Sequence, residues 1–184
     1  MVEISYAQMV LAVTILWVMV RARCCVQNRV LDLKREGTLL LVYLCLVVVI
    51  RFTFCPFGQV DGKILPLVLD PERIFPLWIN LVPFVYLFDY DTMAEAWMNL
   101  VGNIAMFVPL GVIWPGVFSQ LDRPWKVIAA GAGVSVCIEV LQLPFFNRAT
   151  DIDDLILNTA GFLVGYGVYR LWKKLRKNPW DFTR

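Results

Sequence analysis

The sequence predicts an all-α, polytopic membrane protein of about five transmembrane helices, with an interfacial or re-entrant segment between spans two and three. Three observations predict it. The chain is 59% hydrophobic against 17% charged, and its mean hydropathy is positive, a balance that a soluble domain of this size does not carry. Apolar runs approaching the roughly 20 residues needed to cross a bilayer recur along the chain. The charges are gathered between those runs, and one stretch, EVLQLPFFNRATDIDDLILN (139–158), sets Glu139, Gln142, Arg148, Asp151, Asp153, Asp154 and Asn158 between two apolar segments. The length leaves no room for a separate soluble domain, so residues 1–184 read as one transmembrane domain.

The first run, Ile4–Val20, follows Met1, Val2 and Glu3, where a secretory signal would need a basic leader, and precedes Arg21 and Arg23. It reads as a retained span. Thr38–Phe54 is the second. Residues 55–96 are too long and too apolar for a plain connector, and Pro56, Pro66, Pro71, Pro76 and Pro83 block one continuous helix. Short helices in the outer headgroup region are expected, or a re-entrant piece covered by the other spans. The segment then serves either as a lid over the acidic stretch or as an interfacial anchor held by Trp78, Tyr86 and Tyr90.

Trp97–Phe118 is the third span. Asn99 and Asn103 share one face, Pro109 removes a backbone donor and frees the carbonyl of Ala105, and Gly102 and Gly111 permit close helix approach. A kinked, tightly packed helix is expected. In the fourth, Val127–Phe146, residues Gly131, Ser135, Glu139 and Gln142 draw a small-and-polar stripe that must point into the bundle. Glu139 is expected about 10 Å below the outer end of this helix, and Pro144 marks the exit. The fifth, Leu155–Trp172, is preceded by Thr150-Asp-Ile-Asp153, a capping-box pattern. Asp151, Asp154 and Asn158 follow on one face, which continues into Gly161 and Gly165.

Lysine and arginine collect between spans one and two, between three and four, and after span five. With five spans these groups share one side, which predicts an outside N-terminus and a cytoplasmic C-terminus. The acidic stretch then faces outward. The net charge of +2 averages a basic face with an acidic one, and nothing points to nucleic acid; the expected partner is membrane lipid. The chain has no histidine and no C-x-x-C among Cys24, Cys25, Cys45, Cys55 and Cys137, so neither a zinc site nor a disulfide framework is expected.

The outer ends of spans three to five deliver Asn99, Asn103, Glu139, Gln142, Arg148, Asp151, Asp153, Asp154 and Asn158 to one level, where Arg51 and Asn80 are placed to join them. Ionisable groups at membrane depth are expensive and mark sites. The structural alternative is that they satisfy one another as inter-helix glue. Against it, the acids outnumber the nearby arginines. Oxygen-only donors suit Ca²⁺ or Mg²⁺ rather than zinc, with Glu139, Asp151 and Asp154 as the candidate ligands. Such an ion could bridge the carboxylates to a phosphate headgroup, and Arg148 could grip phosphate directly. No nucleophile elbow, phosphate-cradling glycine loop or histidine base is present, so no catalytic residue is assigned.

Asn99–Gly111 (NLVGNIAMFVPLG), Glu139–Gln142 (EVLQ), Arg148–Gly161 (RATDIDDLILNTAG) and the upstream Ile79–Phe84 (INLVPF) together resemble the VanZ-like family over roughly residues 40–172. The resemblance implies a bacterial plasma-membrane protein, typically Gram-positive, of a family whose founding member is associated with low-level resistance to the glycopeptide teicoplanin. The polar positions of the family pattern map onto the residues from Asn99 to Asn158 named above. The preferred reading is an envelope protein that binds a lipid-linked cell-wall precursor, or the lipoglycopeptide itself, in an outward-facing polar pocket. The alternative is a metal-assisted membrane enzyme acting on a phosphate- or glycan-bearing lipid. An ion-coupled transporter is disfavoured, because no chain of ionisable groups continues to the cytoplasmic side.

Overall fold

The structure, a computed structural model, describes residues 2–28, 32–55, 59–60, 63–70, 72, 79–85, 92–146 and 148–175. Five long helices carry it: α1 (Tyr6–Asn28), α2 (Leu33–Phe54), α3 (Met93–Val117), α4 (Pro124–Gln142) and α5 (Ile152–Leu175). Among the described residues, α1 to α4 are long and apolar enough to cross a membrane. The fifth helix is as long but less apolar, because it opens on Asp153 and Asp154 and ends on Lys173 and Lys174. It spans the same depth nonetheless, since it runs parallel to α3 from the Ile104–Gly161 contact to the Gly116–Tyr169 contact.

Glycine sets that pairing. A Cβ on Gly161 would run into the backbone of Ile104, one on Gly165 into the carbonyl of Val108, and one on Gly111 into the carbonyl of Phe162. The two backbones therefore approach as only glycine allows. Gly102, expected to share this role, faces open space. Helix α4 returns antiparallel and lays its stripe on α5: Gly131 meets the Phe162 ring, and Ser135, Glu139 and Gln142 are buried. The core between these helices is built on Phe107, Leu110, Val127, Phe162 and Tyr166. Helix α1 lies antiparallel on α2, joined by Tyr6 donating to the Val47 carbonyl at 3.2 Å, the Thr14–Tyr43 hydroxyl pair at 2.6 Å and the Arg21–Glu36 ion pair.

Helix ends depart from the expected spans for local reasons. Helix α3 starts at Met93 rather than Trp97, because Thr92 Oγ1 accepts the Glu95 N–H at 3.2 Å and caps it. It runs on through Pro109 and Pro115. Helix α4 stops at Gln142 rather than Phe146, because the turn at Leu143–Pro144 hands Phe145 and Phe146 to a strand. Glu139 thus lies in the last turn, about 5 Å from the helix end rather than about 10 Å.

Residues 55–96 differ most from expectation. Their described parts include short strands, not the expected short interfacial helices: β2 (Gln59–Val60), β3 (Lys63–Ile64), β4 (Leu67–Leu69) and β5 (Ile79–Asn80). The prolines block one continuous helix, and in the described parts backbone groups find partners on neighbouring segments instead. Strand β4 pairs antiparallel with β1 (Val2–Ile4), and beside it the Phe146 N–H donates to the Val68 carbonyl at 2.9 Å and the Asp70 N–H to the Pro144 carbonyl at 2.8 Å. Strand β5 pairs parallel with β6 (Thr150–Asp151), which leads into α5. Strands β1, β4, β5 and β6 lie at the end of the bundle where α2 and α4 finish and α3 and α5 begin. The aromatics expected as anchors, Trp78, Tyr86 and Tyr90, lie outside the described residues. The opposite end carries Lys34, Arg35, Arg123, Lys126, Lys173 and Lys174. There the hydrogen bond from Lys126 holds the Asp122 carboxyl below the usual carboxylate range.

Candidate functional site

Helix α2 ends with carbonyls that lack intrahelical donors. Gln142 Nε2 donates to the Thr53 carbonyl at 2.5 Å, and Arg148 Nε donates to the Phe54 carbonyl at 3.1 Å. Asn158 Nδ2 donates to Ser135 Oγ at 3.0 Å, tying α5 to α4. Asn103 Nδ2 reaches Asn99 Oδ1 at 2.7 Å and Asp154 Oδ1 at 2.5 Å, tying α3 to α5. Glu139 accepts the Asp151 N–H on Oε2 at 3.0 Å, and its own carbonyl accepts the Thr150 hydroxyl at 3.0 Å. Each of these residues is therefore partly glue.

The glue does not exhaust them. Gln142 Oε1, Arg148 Nη2 and Asn158 Oδ1 are buried and have no hydrogen-bond partner, a state that buried polar atoms rarely hold without a ligand, ion or water. All three residues line one cavity of about 490 Å³, whose wall also includes Asn99, Asn103, Glu139 and Asp154. The exposed lining residues are Phe52 on α2, Glu95 and Met98 on α3, and Ala149. The rim thus presents apolar Phe52 and Met98 where α2 and α3 face lipid, beside the Glu95 carboxyl. One guanidinium, Arg148, stands among three carboxyl groups, Glu95, Glu139 and Asp154. Burial lowers the proton affinity of the Arg148 guanidinium, and the neighbouring Asp154 and Glu139 carboxylates work in the opposite direction.

Seven of the residues expected at the site meet in the cavity: Asn99, Asn103, Glu139, Gln142, Arg148, Asp154 and Asn158. Four do not line it. Asp151 Oδ1 accepts the Asp153 N–H at 2.9 Å and Asn80 Nδ2 at 3.1 Å, so Asp151 is the N-cap of α5. The expected cap, Thr150, instead donates to Glu139, because Thr150 and Asp151 are drawn into the pairing with β5 and the helix begins at Ile152. Asp153 is buried, with Oδ1 accepting the Phe84 N–H at 2.9 Å. Arg51 Nη1 donates to the Cys55 carbonyl at 3.5 Å, with its guanidinium 5.7 Å from the Phe52 ring centre. Among the described residues no three acidic or cysteine side chains are placed to hold a metal ion. Of the expected ligands Glu139, Asp151 and Asp154, the second is turned into the cap and toward Asn80.

Phe52, Thr53, Glu95, Met98 and Ala149 also line the cavity and are not among the residues expected from the sequence. Glu95 was within reach, since it precedes Asn99 and Asn103 at the same four-residue step, on a turn that the span boundary at Trp97 cut off. Thr53 serves through its carbonyl, which side-chain patterns do not show.

Fold and site define a helical membrane protein with a partly unsatisfied polar cavity at one end of its bundle, with Phe52 and Met98 on its rim. The VanZ/LLP1 family model matches residues 40–173, from the second turn of α2 to the end of α5, and the chain belongs to that family. It is similar to Protein VanZ of Enterococcus faecium, with 30% identity over 96 residues, which cover 52% of this chain and 55% of the relative. The chain thus spans about half the length of the curated relative it matches. No solved structure matches it.

Proposed function

We propose that this protein binds the phosphate-bearing headgroup of a lipid-linked cell-wall precursor, or the lipoglycopeptide that targets it, and so reduces drug access. The single observation that carries the reading is the trio of unpartnered buried atoms on the wall of one cavity. Arg148 Nη2 needs an acceptor such as a phosphate oxygen; Gln142 Oε1 and Asn158 Oδ1 need donors such as amide or hydroxyl hydrogens. The apolar rim at Phe52 and Met98 suits a ligand whose remainder lies in lipid. A divalent ion such as Ca²⁺ or Mg²⁺ between Glu139 and Asp154 would have to complete its shell with oxygens of the ligand.

In this reading residues 1–184 act as one domain in the bacterial plasma membrane, with the cavity outside. In a background lacking the native cysteines, Ala149→Cys is expected to react with a membrane-impermeant thiol reagent added to intact cells. Reaction only after permeabilisation would place the cavity on the cytoplasmic side and exclude an external ligand.

Binding is separated from catalysis by mass spectrometry of the purified undecaprenyl-linked precursor after incubation with the protein and Mg²⁺. The expected outcome is an unchanged precursor and protection of cells in proportion to protein abundance. A new covalent species that disappears with Asp154→Asn and with chelation would establish instead a metal-assisted enzyme acting on that lipid.

A further inference from the structure

We infer that residues 79–85 form a membrane-inserting strap whose apolar tip sits among lipid hydrocarbon and whose height is fixed by a clasp of Asp151 and Asp153. The inference is independent of what the cavity binds.

The tip reads Leu81-Val-Pro-Phe-Val85. Leu81, Val82, Phe84 and Val85 are each more than half exposed, and no charge interrupts the stretch from Ile79 to Val85. Four large apolar side chains presented together would be a liability in water. The clasp places them elsewhere. Strand β5 pairs with β6, Asn80 Nδ2 donates to Asp151 Oδ1 at 3.1 Å, and Asn80 Oδ1 accepts the Val82 N–H at 3.1 Å. Beyond the turn, the Phe84 N–H donates to Asp153 Oδ1 at 2.9 Å. Phe84 has a φ of 65°, a left-handed conformation unfavourable for a bulky residue, which the bond to Asp153 helps to hold. Two carboxylates that do not line the cavity thus acquire a role as acceptors for the strap.

Lipid is the occupant that the surroundings specify. Asp154, next to the clasp, bonds Asn103, so the strap leaves the bundle level with the α3 turns that expose Trp97, Met98 and Val101. These turns belong to a membrane-spanning helix, so the tip continues its lipid-facing surface. The clasp also touches the cavity wall, since the Asp151 N–H donates to Glu139 Oε2.

The test uses the full chain with its five cysteines replaced by alanine, single cysteines at Phe84 or Leu81 labelled with an environment-sensitive nitrobenzoxadiazole dye, and phosphatidylcholine vesicles carrying nitroxide lipids. Ser119, exposed in the α3–α4 turn at the opposite end of the bundle, supplies the aqueous reference, with iodide present on both sides of the bilayer. Dye at either tip position is expected to be several-fold less quenched by iodide than at Ser119. It should also be quenched best by nitroxides near the top of the acyl chain, as for groups roughly 5–10 Å into the interface. Iodide quenching at both tip positions equal to that at Ser119 would overturn the insertion. Adding Asn80→Ala or Asp153→Ala is expected to raise iodide quenching at Leu81→Cys toward the Ser119 level while the bundle keeps its melting transition. No change with either variant would overturn the clasp, and Asn80→Ala keeps that arm decisive if Asp153→Ala does not fold.

Discussion

Gly161→Val is expected to prevent assembly of the helical bundle. The added side chain would meet the backbone of Ile104, which cannot rotate away as a side-chain tip would, so α3 and α5 must separate. Overpacking a core costs about 1–3 kcal/mol when side chains can yield, and here they cannot. Gly102 is the control, because nothing lies near the position its Cβ would take. Gly102→Ala is expected to hold or raise stability by about 0.5–1 kcal/mol through helix propensity. Thermal unfolding in detergent, followed by size-exclusion chromatography, reads both. Equal stability of Gly161→Val and wild-type protein would mean that α3 and α5 do not pair as described.

Glu139→Gln and Asp154→Asn are expected to keep the fold and, under the proposed function, to abolish protection against glycopeptide. Both replacements keep the acceptor oxygen used in the structure, for the Asp151 N–H and for Asn103 Nδ2 respectively, while removing the charge offered to the cavity. Stability should change by less than about 1 kcal/mol, the net worth of one hydrogen bond. Asn158→Leu provides the contrast. It strands Ser135 Oγ in a buried position, at a cost of about 1–3 kcal/mol, so it should lower the melting temperature together with activity. If the two isosteric variants unfolded as readily as Asn158→Leu, the carboxylates would be glue alone.

Periodicity made the helical bundle and most of the cavity legible. The four-residue step from Asn99 to Asn103 and the stripe through Gly131, Ser135, Glu139 and Gln142 each select one helix face, and that face points inward wherever polar groups lie among apolar spans. Asp151 was legible as a site residue for the same reason and Asp153 through the capping pattern, yet their carboxylates turn to the helix cap and the strap. Which residue caps a helix depends on where the preceding chain pairs, and Ile79–Asn80 is remote in sequence. The strands between α2 and α3 were illegible because proline spacing excludes one continuous helix without naming a pairing partner. Roles played by carbonyls, such as those of Thr53 and Phe54, leave no side-chain signature at all.

Recognition of a phosphate-bearing lipid in the cavity is the property on which the proposed function rests. Native mass spectrometry of the purified protein, titrated with undecaprenyl pyrophosphate or with the neutral polyprenol of the same chain length, separates headgroup recognition from adhesion of the hydrocarbon. Saturable, one-to-one binding of the pyrophosphate lipid is expected. It should weaken by ~30-fold or more in folded Arg148→Gln, equivalent to about 2 kcal/mol of a desolvated charge pair. Equal binding of the neutral polyprenol, or pyrophosphate binding indifferent to Arg148→Gln, would contradict it.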